Sequence, residues 1–166
     1  MDKKNIIGII VVVLALGAAV FIARPNPGNN TASLPVGSVR ALSVEGEVNY
    51  NFGSISMMNG TVNHQFKIKN EGSEAVTIRK MYTSCMCTTA TLMKGGEQFG
   101  PFSMPGHVSV PTINQVINPG EEAVVEAVFD PAAHGPAGIG RIGRAVILET
   151  DSGKPFELLF TATVTP

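Results

Sequence analysis

Apolar and polar residues alternate with a period of two along several short segments of this chain. The clearest segment is residues 62–69, in which His64, Phe66 and Ile68 lie on one face, as in a strand with one buried side. Turn-forming residues follow at 70–73, and residues 75–78 have strand character again. The two segments predict a hairpin, with His64 as a hydrogen-bonded core histidine.

Further strands are predicted where β-branched and aromatic residues lie between turn signals. These segments are residues 39–43, 48–52, 79–92, 123–129, 144–150 and 156–164, the last two joined by a hairpin loop. After the first 24 residues, no segment combines helical periodicity with capping residues. The sequence therefore predicts an all-β domain over residues 38–166: an immunoglobulin-like, two-sheet antiparallel sandwich of seven to eight strands.

The first 37 residues have a different pattern. Residues 6–23 form an uncharged run of 18 residues, roughly 27 Å long as a helix, close to the ~30 Å hydrocarbon thickness of a bilayer. The run continues through Phe21 and Ile22, which favours an uncleaved transmembrane anchor over a cleaved signal. Lysines in residues 1–5 favour a cytoplasmic N-terminus, and residues 24–37 have the composition of a flexible linker. We expect a single-pass protein of the bacterial cytoplasmic membrane whose C-terminal domain is extracytoplasmic.

Charge and motif content exclude several function classes. The net charge is −1, with 12 basic and 13 acidic residues and no basic block, which argues against nucleic-acid binding. No Ser/His/Asp set or convincing pair of acids appears, so we expect no enzyme activity. Arg144 is interpreted as a residue that keeps a sheet edge soluble, and His134 as a solvated loop residue.

The only two cysteines, Cys85 and Cys87, are separated by one residue. On a regular strand their Cα atoms would be about 6.6 to 6.8 Å apart, at the limit of the usual disulfide range, so a disulfide requires a bend there. Two thiolates on one metal ion need sulfurs only about 3.7 Å apart. Buried structural thiols, a metal site and a disulfide therefore all remain open.

Two cysteines do not complete a structural zinc site, so His64, His107, His134 or a methionine would have to join them. Cu(I) accepts two or three soft ligands, and methionines cluster in the same part of the sequence. The metal hypothesis is therefore a Cu(I) site built from Cys85 and Cys87 with Met104 or His107.

Four motifs occur in an order that resembles a bacterial domain-of-unknown-function family, DUF1573, which is similar to the ASH/MSP/Hydin group of immunoglobulin-like domains. They are residues 50–55, 66–72, 84–88 and 118–121. The resemblance covers about residues 45–164 and implies the fold rather than an activity. This chain departs from the family pattern at Met86, where glycine is usual, and in a longer connection at 93–117. We expect the longer connection to be an inserted loop with exposed Phe99 and Phe102 as a contact patch.

Three functions follow as hypotheses. The first is a membrane-tethered extracytoplasmic binding or assembly module with an unidentified protein partner at the cell envelope. The second is an extracytoplasmic metal-binding protein that uses Cys85 and Cys87. The third is a thiol–disulfide redox protein, which ranks last because no helix N-terminus is available to favour a thiolate.

Overall fold

The fold consists of two five-stranded β-sheets. A computed structural model describes residues 41–106 and 110–166. The strands are β1 (Leu42–Val44), β2 (Asn49–Ser56), β3 (Val62–Asn70), β4 (Val76–Thr83), β5 (Thr88–Lys94), β6 (Glu97–Phe102), β7 (Gln115–Ile117), β8 (Glu122–Phe129), β9 (Gly140–Thr150) and β10 (Phe156–Thr165). Short 3₁₀ turns occur at Met57–Asn59 and Gly135–Gly138.

The first sheet has the order β1-β3-β8-β5-β6, and the second has the order β2-β10-β9-β4-β7. Neighbouring strands are antiparallel except for β2 and β10, which pair in parallel, so the predicted antiparallel sandwich is wrong at this pair. The predicted all-β, two-sheet architecture is confirmed. The strand number was underestimated, because residues 93–117 contain two strands, β6 and β7, that the sequence analysis did not predict.

The core lies between apolar faces contributed by both sheets. Along β3, Phe66 and Ile68 are fully buried, and along β10 the alternate residues Leu158, Phe160 and Val164 are buried. Both strands show the period-two pattern of a sheet with one buried face. His64 lies on the core-facing side of β3, as predicted, but it is half-buried and stacks on Tyr50 with ring centroids 3.6 Å apart, and among the described residues its ring makes no hydrogen bond, contrary to the prediction.

One predicted hairpin is confirmed and the other is wrong. Strands β9 and β10 pair directly, from Leu148 with Phe156 onwards. Strands β3 and β4 do not pair, because β3 lies in the first sheet between β1 and β8, whereas β4 lies in the second sheet between β9 and β7. The turn after β3 therefore carries the chain from one sheet to the other.

Two of the sequence motifs meet at this crossing. Asn70 is fully buried, and its Nδ2 donates to the carbonyl oxygens of Glu74 and Ile117, at 2.8 Å each. Its Oδ1 accepts from Gly72 N at 2.9 Å, and its carbonyl oxygen accepts from Gly120 N at 2.7 Å. Gly120 has φ +77°, the left-handed conformation that a glycine adopts without steric cost in a tight turn. The motifs at residues 66–72 and 118–121 are thus joined by the backbone hydrogen bond from Gly120 to Asn70.

The predicted inserted loop at 93–117 contains β6 and β7. Phe99 and Phe102 lie on β6, and both are half-buried against the core. The prediction that they are exposed is therefore wrong, because β6 pairs with β5 and extends the first sheet.

The predicted anchor at 6–23 and linker at 24–37 lie outside the described residues. Within residues 41–106 and 110–166, no helix has the length and hydropathy needed to cross a bilayer.

Candidate functional site

The two cysteines lie in a tight turn that connects the two sheets. The turn follows β4 in the second sheet and precedes β5 in the first. Thr88 N donates to Cys85 O at 3.1 Å, which closes the turn. Thr83 Oγ1 lies beneath it, 2.9 Å from Cys85 O and 3.0 Å from Thr88 O. The interpretation of residues 79–92 as one strand was wrong, because the chain bends at 84–87.

Cys85 and Cys87 are joined by a disulfide, and their Cα atoms are 5.3 Å apart. That separation is shorter than the strand value expected from the sequence, and the bend provides the difference. Both residues are buried, with exposed fractions of 8% for Cys85 and 3% for Cys87. The sequence left buried thiols, a metal site and a disulfide as alternatives, and the structure contains the disulfide.

Met86, between the cysteines, is 64% exposed. Of the described residues other than glycine, only Asn114 has a positive φ. Met86 therefore has backbone geometry that any residue can adopt, and a side chain at this position requires no special conformation.

His134 lies next to the first sulfur. Its Nε2 is 3.1 Å from Cys85 Sγ. The residue follows β8 and immediately precedes the 3₁₀ turn at Gly135–Gly138. Asp130 N donates to Cys87 O at 2.9 Å, which fixes the end of β8 against the cysteine turn. His134 is exposed, as predicted, but its ring contacts the sulfur rather than solvent alone.

Arg144 lies next to the second sulfur. Its Nε donates to Cys87 Sγ at 3.2 Å, and its Nη1 donates to Gly143 O at 2.8 Å. Ser84 N donates to Ala145 O at 3.0 Å, which places β9 beside the turn. Pairing of β9 with β4 ends at Val146, so Arg144 lies just beyond it, where β9 pairs with β10 alone and its guanidinium contacts the cysteine turn.

Among residues 41–106 and 110–166, the ligand atoms of Cys85, Cys87 and His134 converge. Their Sγ and Nε2 or Nδ1 atoms all lie within 4.8 Å of one another. Soft sulfur and imidazole nitrogen are ligands that bind Cu(I) and Zn(II) in proteins. The guanidinium of Arg144 adds a permanent positive charge at the same place, which favours the thiolate form of a reduced Cys87.

The remaining candidates lie elsewhere. Met104 is 44% exposed and lines a surface groove formed by residues 100–105 with Val110 and Pro111. His64 packs in the aromatic cluster with Tyr50, Phe52 and Phe66. Burial lowers the pKa of His64. His107 lies outside the described residues.

Sequence reasoning missed the pairing of His134 and Arg144 with the cysteines. Strand β5 pairs with β8 so that Thr88 faces Phe129, which brings the segment after β8 to the cysteine turn. Strand β4 pairs with β9 so that Thr83 faces Val146, which brings Arg144 there from the other sheet. Both contacts depend on strand register, and a single sequence does not specify which strands pair.

Comparisons with known proteins agree with this fold. The profile of a family described as "Protein of unknown function (DUF1573)" matches residues 43–98, so the resemblance seen in the sequence is confirmed there. No curated protein matches the sequence.

Two solved structures are similar in fold. A protein of unknown function from Porphyromonas gingivalis W83 matches with a TM-score of 0.53 and 13% identity, over 81% of this chain and 51% of that one. A family 123 glycoside hydrolase from Clostridium perfringens matches with a TM-score of 0.50 and 8% identity, over 75% of this chain and 27% of that one. This chain thus spans about half or less of either structure, and the likeness concerns the fold alone.

Proposed function

Because the description of the family whose profile matches residues 43–98 gives no activity, we propose a function from the site itself. The domain is a non-catalytic binding module that holds a soft metal ion, Cu(I), when its disulfide is reduced. The ligands are the thiolates of Cys85 and Cys87 and the imidazole of His134.

The convergence of these three ligand atoms within 4.8 Å carries the proposal. Two metal–sulfur bonds of about 2.3 Å place the sulfurs roughly 3.7 Å apart, a separation that side-chain rotation gives to two cysteines with Cα atoms 5.3 Å apart. His134 replaces the Met104 and His107 of the sequence hypothesis as third ligand, because it is already 3.1 Å from Cys85 Sγ.

Charge balance favours a monovalent ion. Cu(I) with two thiolates and a neutral imidazole carries one net negative charge, which the guanidinium of Arg144 neutralises at 3.2 Å from Cys87 Sγ. A divalent ion in the same ligand set would be neutral, and the adjacent guanidinium would then be an uncompensated positive charge next to a partly buried centre. Because both cysteines are buried, the electrostatic preference for the monovalent ion over the divalent one is larger than it would be in water.

The cellular setting remains as the sequence predicts it. We propose that the domain is immunoglobulin-like, that residues 6–23 anchor it in the membrane and that it acts outside the cytoplasm. A role as an assembly module with a protein partner remains a second hypothesis, but half-burial of Phe99 and Phe102 weakens the aromatic contact patch on which it was based.

Metal titration tests the proposal. The full chain, purified in mild detergent and reduced under anaerobic conditions, is titrated with Cu(I) against a chromophoric Cu(I) chelator. We expect one Cu(I) per chain, abolished by Cys85→Ser or Cys87→Ser and weakened by His134→Ala. Met104→Leu is the control for the sequence-based ligand set and should leave the affinity unchanged.

The same variants are titrated with Zn(II), for which we expect weaker binding than for Cu(I) in the wild type. Circular dichroism of each reduced variant separates loss of a ligand from loss of the fold. Unchanged Cu(I) affinity in folded Cys87→Ser would reject the proposal.

A further inference from the structure

We propose that the Cys85–Cys87 disulfide is an exchangeable bond with a fixed direction of reaction. An external thiol attacks the sulfur of Cys85, and Cys87 is the leaving thiolate. This inference does not depend on metal binding, since it concerns the oxidised form of the site.

The partners of the two sulfurs differ in charge. Cys87 Sγ accepts a hydrogen bond from the guanidinium of Arg144 at 3.2 Å, and this group stays positive at any physiological pH. Cys85 Sγ contacts the ring of His134 and the backbone N–H of Cys87, at 3.1 and 3.3 Å, and neither carries a fixed charge. A leaving thiolate is therefore better stabilised at Cys87 than at Cys85.

Thiol–disulfide exchange proceeds faster when the departing sulfur is the more stable thiolate. The two sulfurs also differ in access, because Cys85 is the more exposed of the pair and adjoins the exposed His134, whereas Cys87 is 3% exposed. Both observations favour attack at Cys85. The sequence ranked redox chemistry last because no helix N-terminus is available to favour a thiolate. In the structure, the guanidinium of Arg144 is a positive group that can do so.

The reaction balances with two equivalents of a low-molecular-weight thiol. One thiolate attacks Cys85 Sγ, the Cys85–Cys87 bond breaks, and its electron pair leaves on Cys87 Sγ beside Arg144. This step leaves a mixed disulfide on Cys85. A second thiolate attacks the external sulfur of the mixed disulfide and releases the thiolate of Cys85, and the two cysteine thiolates take up the two protons that the external thiols lost. The external thiol is oxidised to its disulfide, and the protein becomes a dithiol.

Mapping of the intermediate tests the direction. The oxidised full chain, in mild detergent with a metal chelator, is mixed with glutathione, quenched with acid at short times, alkylated and analysed by tandem mass spectrometry. We expect glutathione on Cys85 and the alkyl group on Cys87. A glutathione adduct found mainly on Cys87 would overturn the proposal.

The role of Arg144 is tested through the rate of the first step. Arg144→Gln should slow reduction by glutathione roughly three- to tenfold, because the leaving thiolate loses its cation. Arg141→Gln is the matched control, since Arg141 lies on the same strand but is exposed. Equal rates in the two variants would refute the role of Arg144.

Arg144→Lys keeps the positive charge and should restore most of the rate. A rate in Arg144→Lys as low as in Arg144→Gln would contradict the role of the charge, and if Arg144→Gln does not fold, the mapped position of glutathione in the wild type remains the test of the direction. The share of glutathione found on Cys85 should fall in Arg144→Gln and stay high in Arg144→Lys, a readout that a purely structural role would not change. Because a chelator is present throughout, failure of this inference is distinguishable from failure of the metal proposal.

Discussion

Replacement of Asn70 by leucine should destabilise the domain strongly. Asn70 is fully buried and makes three side-chain hydrogen bonds, to Glu74 O, Ile117 O and Gly72 N. Leucine has a similar size but can make none of them. The carbonyl group of Ile117, in a fully buried residue, then loses its side-chain partner.

The magnitude follows from the number and burial of the groups affected. A buried polar group left without its partner costs about 1–3 kcal/mol, and a partly buried one costs less because water replaces the partner. One buried and two partly buried groups give a loss of roughly 3–4 kcal/mol in the free energy of unfolding. Domains of this size are stable by about 5–15 kcal/mol, so the loss is a large share of the total.

Urea unfolding followed by circular dichroism measures this loss, with Asn63→Leu as the control. Asn63 lies on the same strand, but its hydrogen bond to Glu126 Oε1 is exposed, and its loss should cost under about 1 kcal/mol. If Asn70→Leu lost no more stability than Asn63→Leu, the idea that Asn70 holds the crossing between the sheets would be wrong.

Three further predictions concern stability. Thr83→Val should cost about 1–3 kcal/mol in urea unfolding, because two carbonyl oxygens lose the hydroxyl beneath the cysteine turn, and an unchanged midpoint would contradict this. Burial lowers the pKa of His64 from 6.5, so the unfolded chain binds the proton more readily and stability should fall as pH drops below 6.5. The free energy of unfolding should therefore change less with pH over that range in His64→Phe than in the wild type, and equal slopes would show that His64 is not the source of the dependence. Hydrogen bonds from Asn118 and Lys94 lower the pKa of Glu121, so the stability that it provides should disappear only below pH 4.5, and Glu121→Gln should remove that part of the acid dependence.

The period-two pattern predicts individual strands well but not their partners. Strand β3 was predicted from the alternation of His64, Phe66 and Ile68, and the structure has it at Val62–Asn70. Its partner was predicted as β4, yet β3 pairs with β1 and β8. A turn composition after a strand is the same whether the chain returns in one sheet or crosses to the other. The buried Asn70, which satisfies backbone groups at this crossing, has no distinguishing signal in a single sequence.

The candidate site could be predicted only in part, for the same reason. Cys85 and Cys87 were recognised because they are neighbours in sequence. His134 and Arg144 are 49 and 57 residues away from the sulfurs they contact, and they reach them through the β5–β8 and β4–β9 pairings. The strand pattern predicted the segments that form β8 and β9, but it did not indicate which strands they pair with. A tight turn at 84–87 was not expected either, because the residues on both sides have strand character.

The disulfide encloses a single residue, since Cys85 and Cys87 are two positions apart. A crosslink limits the freedom of the unfolded chain more when it closes a longer loop, and a loop this short gives about 1.5 kcal/mol against about 4.7 kcal/mol for one of ~100 residues. Hydrogen bonds from Thr83 and Thr88 hold the turn independently of the sulfurs. We therefore expect the domain to stay folded when this bond is reduced, so that a cycle of oxidation and reduction would require no refolding of the sandwich.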